Sequence, residues 1–176
     1  MKTTEDILKT IDIMWEYHIK VRSHFPYARK EHIGTRIIES APYYTSQGFQ
    51  IKYDFGKELE ENDIDQINKL SNWLNQNVLI RLYALMNYFG YVGKTISIDH
   101  TIKGSKELDL LRRLRNHFAH TEGNYNPTDE EQINLVDEIV SHFGLIKNKF
   151  DHFPISIDQV IEPIFNGCKT YVKNKI

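Results

Sequence analysis

The chain has 176 residues, enough to build one hydrophobic core and too few for a second domain of ordinary size. With 40% hydrophobic and 26% charged residues and a mean hydropathy of -0.50, the composition is globular and excludes a disordered chain. A net charge of -2 leaves no global field for a long polyanion, so nucleic-acid contact must come from a local basic patch.

Residues Met1 to Asp12 combine acids with apolar residues and lack the basic and apolar blocks of a secretory leader. No stretch is long enough without charge to span a bilayer, so the expected location is the cytoplasm, with no membrane partner. From Thr4 to about Val21, Ile7, Leu8, Ile11, Met14, Trp15 and Ile19 recur at helical spacing, which predicts the first helix. From Arg22 to Gly56 the pattern breaks: Pro26, Gly34, Pro42, Gly48 and Gly56 punctuate a segment rich in aromatics. Phe49, Ile51, Tyr53 and Phe55 alternate as in one extended strand, with no partner strand evident. This segment, 22–56, is expected to be a structured insertion within a single domain covering 1–176.

The longest signal runs from about Leu59 to Phe89, where Ile64, Ile67, Leu70, Trp73, Leu74, Val78, Leu82, Leu85 and Met86 are assigned to one buried helical face. Gly90 and Gly93 close it. A third helix is expected from Ser105, read as its N-cap, to His120, with Leu108, Leu111, Leu114 and Phe118 as its apolar stripe. A fourth opens at Thr128, where Glu131 three residues on reads as a capping box, and closes at Gly144. The fifth starts at Ser156, with Pro163 allowed only at a kink or if the true start lies later. In that helix the lone Cys168 is expected to be a buried small hydrophobe, unable to form an internal disulfide or a thiolate cluster for zinc. Five helices and little sheet predict an all-α bundle.

Chemistry concentrates in the segment from Arg112 to Gly123, where Arg112, Arg113, Arg115, His117 and His120 fall within nine residues. Arg115-Asn116, followed after three residues by His120, resembles the R-N-x-x-x-H motif of HEPN domains. Those are all-α bundles of four or five helices in which the motif closes one helix before a loop to the next. The resemblance extends from about Leu59 to the C-terminus and leaves 22–56 without a counterpart. The bare arginine-to-histidine spacing also occurs from Arg112 to His117 and from Arg113 to His120; the asparagine directly after Arg115 selects the third pair. In toxin members paired with nucleotidyltransferase antitoxins a tyrosine often stands two residues after the histidine, where this chain has Glu122.

The resemblance implies a metal-independent endoribonuclease of the toxin or phage-defence kind, needing no cofactor, with Arg115, Asn116 and His120 as catalytic residues. RNA carries its own nucleophile, the 2′-OH, so a protein must supply a base, an acid and a cation for the phosphorane. His120 is the candidate acid or base, Arg115 grips phosphate oxygens, and Asn116 orients the histidine or donates to the phosphate. Products would carry 2′,3′-cyclic phosphate and 5′-OH ends. Arg112, Arg113 and His117 extend the expected phosphate-binding patch; for the two arginines the plain alternative is a surface charge balanced by Glu107 and Asp109. No metal site is expected, since His117 and His120 lack a third ligand.

Asn116 and His120 share a helical face, but Arg115 and His120 stand about 140° apart on a regular helix. Either the helix unwinds near His120 or two chains contribute, and HEPN ribonucleases resemble the second case, pairing two motifs in a two-fold dimer. A homodimer with the third helix at its interface is therefore expected, with an antitoxin or regulatory protein as a further partner. The alternative function is a non-catalytic HEPN-like module that binds a protein, a nucleotide or RNA. In the insertion, Tyr43, Tyr44, Phe49 and Tyr53 interleave with Arg29, Lys30, Arg36 and Lys52, a composition that either stacks on bases or packs the segment onto the helices.

Overall fold

A computed structural model describes residues 3–41, 51–120, 125–146 and 153–175. Among them are five α-helices, α1 (Thr4–Ser23), α2 (Glu61–Tyr88), α3 (Ser105–His120), α4 (Glu130–Phe143) and α5 (Glu162–Asn174), and two short strands, β1 (Ile37–Glu39) and β2 (Lys52–Asp54). The protein is all-α in class, as its periodicity predicts. No helix among the described residues is long and apolar enough to cross a membrane. The chain groups into two compact units, Met1–Ile11 with Asn75–Ile176, and Asp12–Leu74.

The larger unit is organised by α3 and α5. Leu108, Leu111 and Leu114 of α3 are wholly buried, as are Ile164, Cys168 and Tyr171 of α5, so both apolar stripes face a common core. Their approach is unusually close. A Cβ on Gly167 would lie 2.3 Å from the Glu107 Cβ, and one on Gly104 would lie 2.2 Å from the Gly167 carbonyl oxygen. Gly104 also holds a φ of +93°, open to glycine at no steric cost. Tyr171 anchors the preceding loop, its hydroxyl accepting from the Asp99 amide at 3.0 Å. Burial, with the Glu107 carboxylate nearby, pushes the Cys168 thiol above its ordinary range, which keeps it a protonated core side chain.

Helix boundaries differ from expectation at three places, each for a local reason. Gly104, not Ser105, caps α3: its carbonyl accepts the first helical bond from Leu108 N at 3.2 Å, while Ser105 is buried and inside the helix. Asp129, not Thr128, caps α4, accepting from the amides of Glu131 (2.9 Å) and Gln132 (3.2 Å). Thr128 is engaged elsewhere, its amide and hydroxyl both donating to Asn126 Oδ1. A π-helical turn, Ile157–Ile161, follows Ser156, so α5 begins later and Pro163 sits in its first turn, where a missing N–H costs nothing.

The smaller unit contains the segment set apart as an insertion. The alternating run around Tyr53 does have a partner strand: β1 pairs antiparallel with β2, Ile38 opposite Tyr53. Three residues of β1 are too short for an alternation signal, and only Ile38 of them is buried. It joins Ala28, Leu59, Ile64 and Ile67 in a core cluster flanked by Phe25 and Tyr53. Arg36 clamps Asp54 with two hydrogen bonds of 2.6 and 2.9 Å, and this pairing holds the Asp54 carboxyl below its ordinary range.

Trp73 and Leu70 are not core. They are 59% and 55% exposed, because successive steps of three residues from Ile64 drift about 60° each and carry Trp73 about 180° round the helix. Ile64, Val78, Leu82 and Met86 keep the buried face. Replacing Gly167 by alanine forces a methyl group into Glu107, so Gly167→Ala is expected to cost about 1–3 kcal/mol by overpacking, read as a lowered Tm in thermal circular dichroism.

Candidate functional site

The C-terminal half of α3 carries the chemistry found in the sequence, and the helix distributes it over two faces. Arg112, Asn116 and His120 follow at intervals of four and form one stripe, with Arg113 and His117 beside it. All five line a cleft of about 350 Å³ between α3 and the first turns of α4, whose Asp129, Glu131, Gln132 and Leu135 form the other wall. Arg115 does not line this cleft. Its guanidinium lies 5.0 Å from the centroid of the Tyr83 ring on α2, a cation–π contact, and reaches the cleft residues through one bond from Nη1 to Asn116 Oδ1 at 3.1 Å. The helix stays regular to His120, so the offset of Arg115 from His120 persists within the chain.

The cleft residues differ in how firmly they are held. His117 is buried and belongs to its floor, its ring 4.2 Å from Phe153 and 5.8 Å from Phe118. Phe153 in turn packs against Phe118 and Tyr125, which makes this floor an aromatic layer. Arg112 pairs with Asp109 at 2.7 Å, one turn back on its own helix. Arg113 pairs with Glu138 of α4, which also takes Lys106. One helical turn further along α4, His142 Nε2 donates to Glu107 Oε1 at 3.0 Å. Polar bridges thus stitch the α3–α4 seam beyond the cleft and draw part of the arginine charge into internal pairs.

Within the cleft, His120 and Glu131 are exposed, and neither side chain has a hydrogen-bond or ion-pair partner among the described residues. Asp129 is the opposite case, since its second oxygen accepts from Gln132 Nε2 at 3.0 Å while the first caps the helix. Glu131 escapes a capping role because the cap lies one residue later than the sequence reading placed it; Gln132 takes the third helical position, and its Oε1 accepts from the Asn126 amide at 2.7 Å. The α4 wall was not singled out from sequence. Its signal was the acidic run Asp129-Glu130-Glu131 directly after the motif loop, which reads as ordinary helix-start chemistry.

Among the described residues no group of three or more His, Cys, Asp or Glu side chains is placed to hold a metal ion. In the smaller unit, three of the four basic residues expected to flank stacking aromatics are engaged locally: Arg29 lies 4.6 Å from the Tyr27 ring centroid, Arg36 binds Asp54, and Lys52 stands 3.8 Å from Glu39. Tyr53 packs beside the core cluster; Tyr43, Tyr44 and Phe49 lie outside the described residues, as does Glu122. Compared with known proteins, the chain matches no family model, no curated protein and no solved structure.

Because Asp129 both caps α4 and fixes the acidic wall, Asp129→Ala is expected to destabilise the protein by about 0.5–2 kcal/mol. Urea unfolding followed by circular dichroism measures this as a lower midpoint with an unchanged slope.

Proposed function

We propose that this protein is a HEPN-like endoribonuclease that cleaves RNA by attack of the 2′-OH on the adjacent phosphodiester, leaving 2′,3′-cyclic phosphate and 5′-OH ends. The observation that carries this reading is the convergence of Arg112, Arg113, Asn116 and an exposed His120, without a partner among the described residues, on one nucleotide-sized cleft. An imidazole in this position supplies the general acid or base that the reaction needs. Neighbouring guanidinium groups meet the charge that builds on the phosphorane, the largest electrostatic demand of the reaction. Asn116, tethered by Arg115, is placed one turn from His120 as an orienting or donating amide. The R-N-x-x-x-H resemblance and the all-α class support the same assignment.

Arg115 has a role in this proposal that differs from a direct phosphate grip within one chain. Held over Tyr83, it positions Asn116, and the proposed two-fold dimer across α3 offers its guanidinium to a partner's cleft. The proposed setting is a cytoplasmic toxin or phage-defence enzyme acting on single-stranded or looped RNA and restrained by an antitoxin or regulatory protein. A second reading, a non-catalytic HEPN-like module that binds a protein partner, nucleotide or RNA, is favoured by one feature: Arg112 and Arg113 already hold acids, and Asp129 and Glu131 place negative charge across the cleft.

Purified protein incubated with total cellular RNA in EDTA is expected to produce cyclic-phosphate ends. His120→Ala should lower the rate by about 10²–10⁴, the usual contribution of a general acid or base, and Arg115→Ala should lower it by releasing Asn116. Absence of cleavage by the wild type, or equal cleavage by all three proteins, rejects the ribonuclease reading in favour of the binding module.

A further inference from the structure

Cleavage by the 2′-OH route needs two proton carriers, one to accept the proton of the nucleophile and one to supply the leaving oxygen. His120 is one. We infer that Glu131 is the other, so that a single chain holds both proton carriers on opposite walls of one cleft; this rests on the ribonuclease reading but not on a dimer. His120 ends α3, Glu131 lies in the first turn of α4, and both line the same cavity of about 350 Å³. A cavity of this size admits a nucleotide-sized group. Placement on facing walls suits an in-line displacement, in which the entering and leaving oxygens stand on opposite sides of phosphorus.

The other titratable groups in the cleft are committed elsewhere. Asp129 spends both carboxylate oxygens on the α4 cap and on Gln132 Nε2. His117 is buried in the aromatic floor against Phe153 and Phe118. Arg112 and Arg113 line the wall beside His120 and are paired with Asp109 and Glu138. Glu131 alone is an exposed carboxylate with no partner among the described residues. As the one uncommitted carboxylate on the cleft, Glu131 is assigned the part of the base.

In the forward step the Glu131 carboxylate accepts the proton of the 2′-OH as the O2′–P bond forms. The P–O5′ bond breaks and protonated His120 gives its proton to the departing O5′. The products are a 2′,3′-cyclic phosphate, a 5′-OH, a protonated Glu131 and a neutral His120, and exchange with water resets both groups. No oxidant, reductant or further reactant enters.

The test pairs Glu131→Gln and His120→Ala, each first checked by circular dichroism and thermal melting for an unchanged fold, on two substrates. On RNA both are expected to lose about 100-fold or more. On uridine 3′-(4-nitrophenyl phosphate) the leaving group departs without a proton, so His120→Ala should recover toward wild type while Glu131→Gln stays impaired. Mixing the two variants should restore nothing, because neither chain then holds both groups. Near wild-type RNA cleavage by Glu131→Gln with His120→Ala inactive overturns the inference and leaves the ribonuclease reading standing. So does recovery on mixing, which means that the site is shared between chains, and so does rescue of Glu131→Gln in place of His120→Ala. Wild-type protein inert on both substrates removes the ribonuclease reading and the inference with it.

Discussion

The crossing of α3 over α5 at Gly104 and Gly167 is the constraint on which the rest of the larger unit depends. Neither position has room for a Cβ, so the two backbones meet where side chains would hold them apart. That contact fixes the separation of the helices, and the leucine stripe of α3 fixes its rotation. Once rotation is set, the fate of every polar residue near its C-terminus follows from 100° per residue. Arg112, Asn116 and His120 open onto the cleft, His117 turns into the aromatic floor, and Arg115 falls on the flank that meets Tyr83. Glu107 is wedged against Gly167 and still reaches His142, which ties the same crossing to α4.

Electrostatics then divides the cleft. The seam between α3 and α4 carries Glu138 with Lys106 and Arg113, and Glu107 with His142. Partly exposed pairs of this kind add little stability; their consequence is spatial, because they hold α4 at a set distance and compensate arginine charge before any ligand arrives. Asp129 is consumed by its cap and by Gln132. Among the described residues, what remains without a partner is one imidazole and one carboxylate lining a single cavity, the minimum inventory for moving two protons. A polyanion entering the cleft would compete with Asp109 and Glu138 for the two arginines, which favours a ligand presenting one phosphate closely over a diffuse track of many.

Legibility in the sequence followed the length of each signal. The long stripes of α1 to α5 gave their existence and class, because burial of one face every 3.6 residues is repeated many times in each. Short or shared signals misled. Thr128 and Asp129 are both good caps, and only the turn made by Asn126 and Pro127, which engages the Thr128 hydroxyl, decides between them. Leu70 and Trp73 fit a spacing of three, yet repeated threes precess off the buried face. Three residues of β1 offered too little alternation to announce a strand, and Tyr53 found its partner through tertiary pairing with Ile38.

The site was legible on one wall. By itself the sequence determined that the chain is helical, that arginines, an asparagine and histidines cluster at the end of one amphipathic helix, and that Cys168 is core, since these depend on local composition and periodicity. Tertiary structure decided that Arg115 leaves the cleft for Tyr83, that His117 is part of an aromatic floor, and that Glu131 lines the same cleft as His120. The reason is physical: helical spacing relates residues on one helix, whereas the pairing of α3 with the start of α4 depends on the Gly104–Gly167 crossing, on the ion pairs of the seam and on a cap position shifted by one residue.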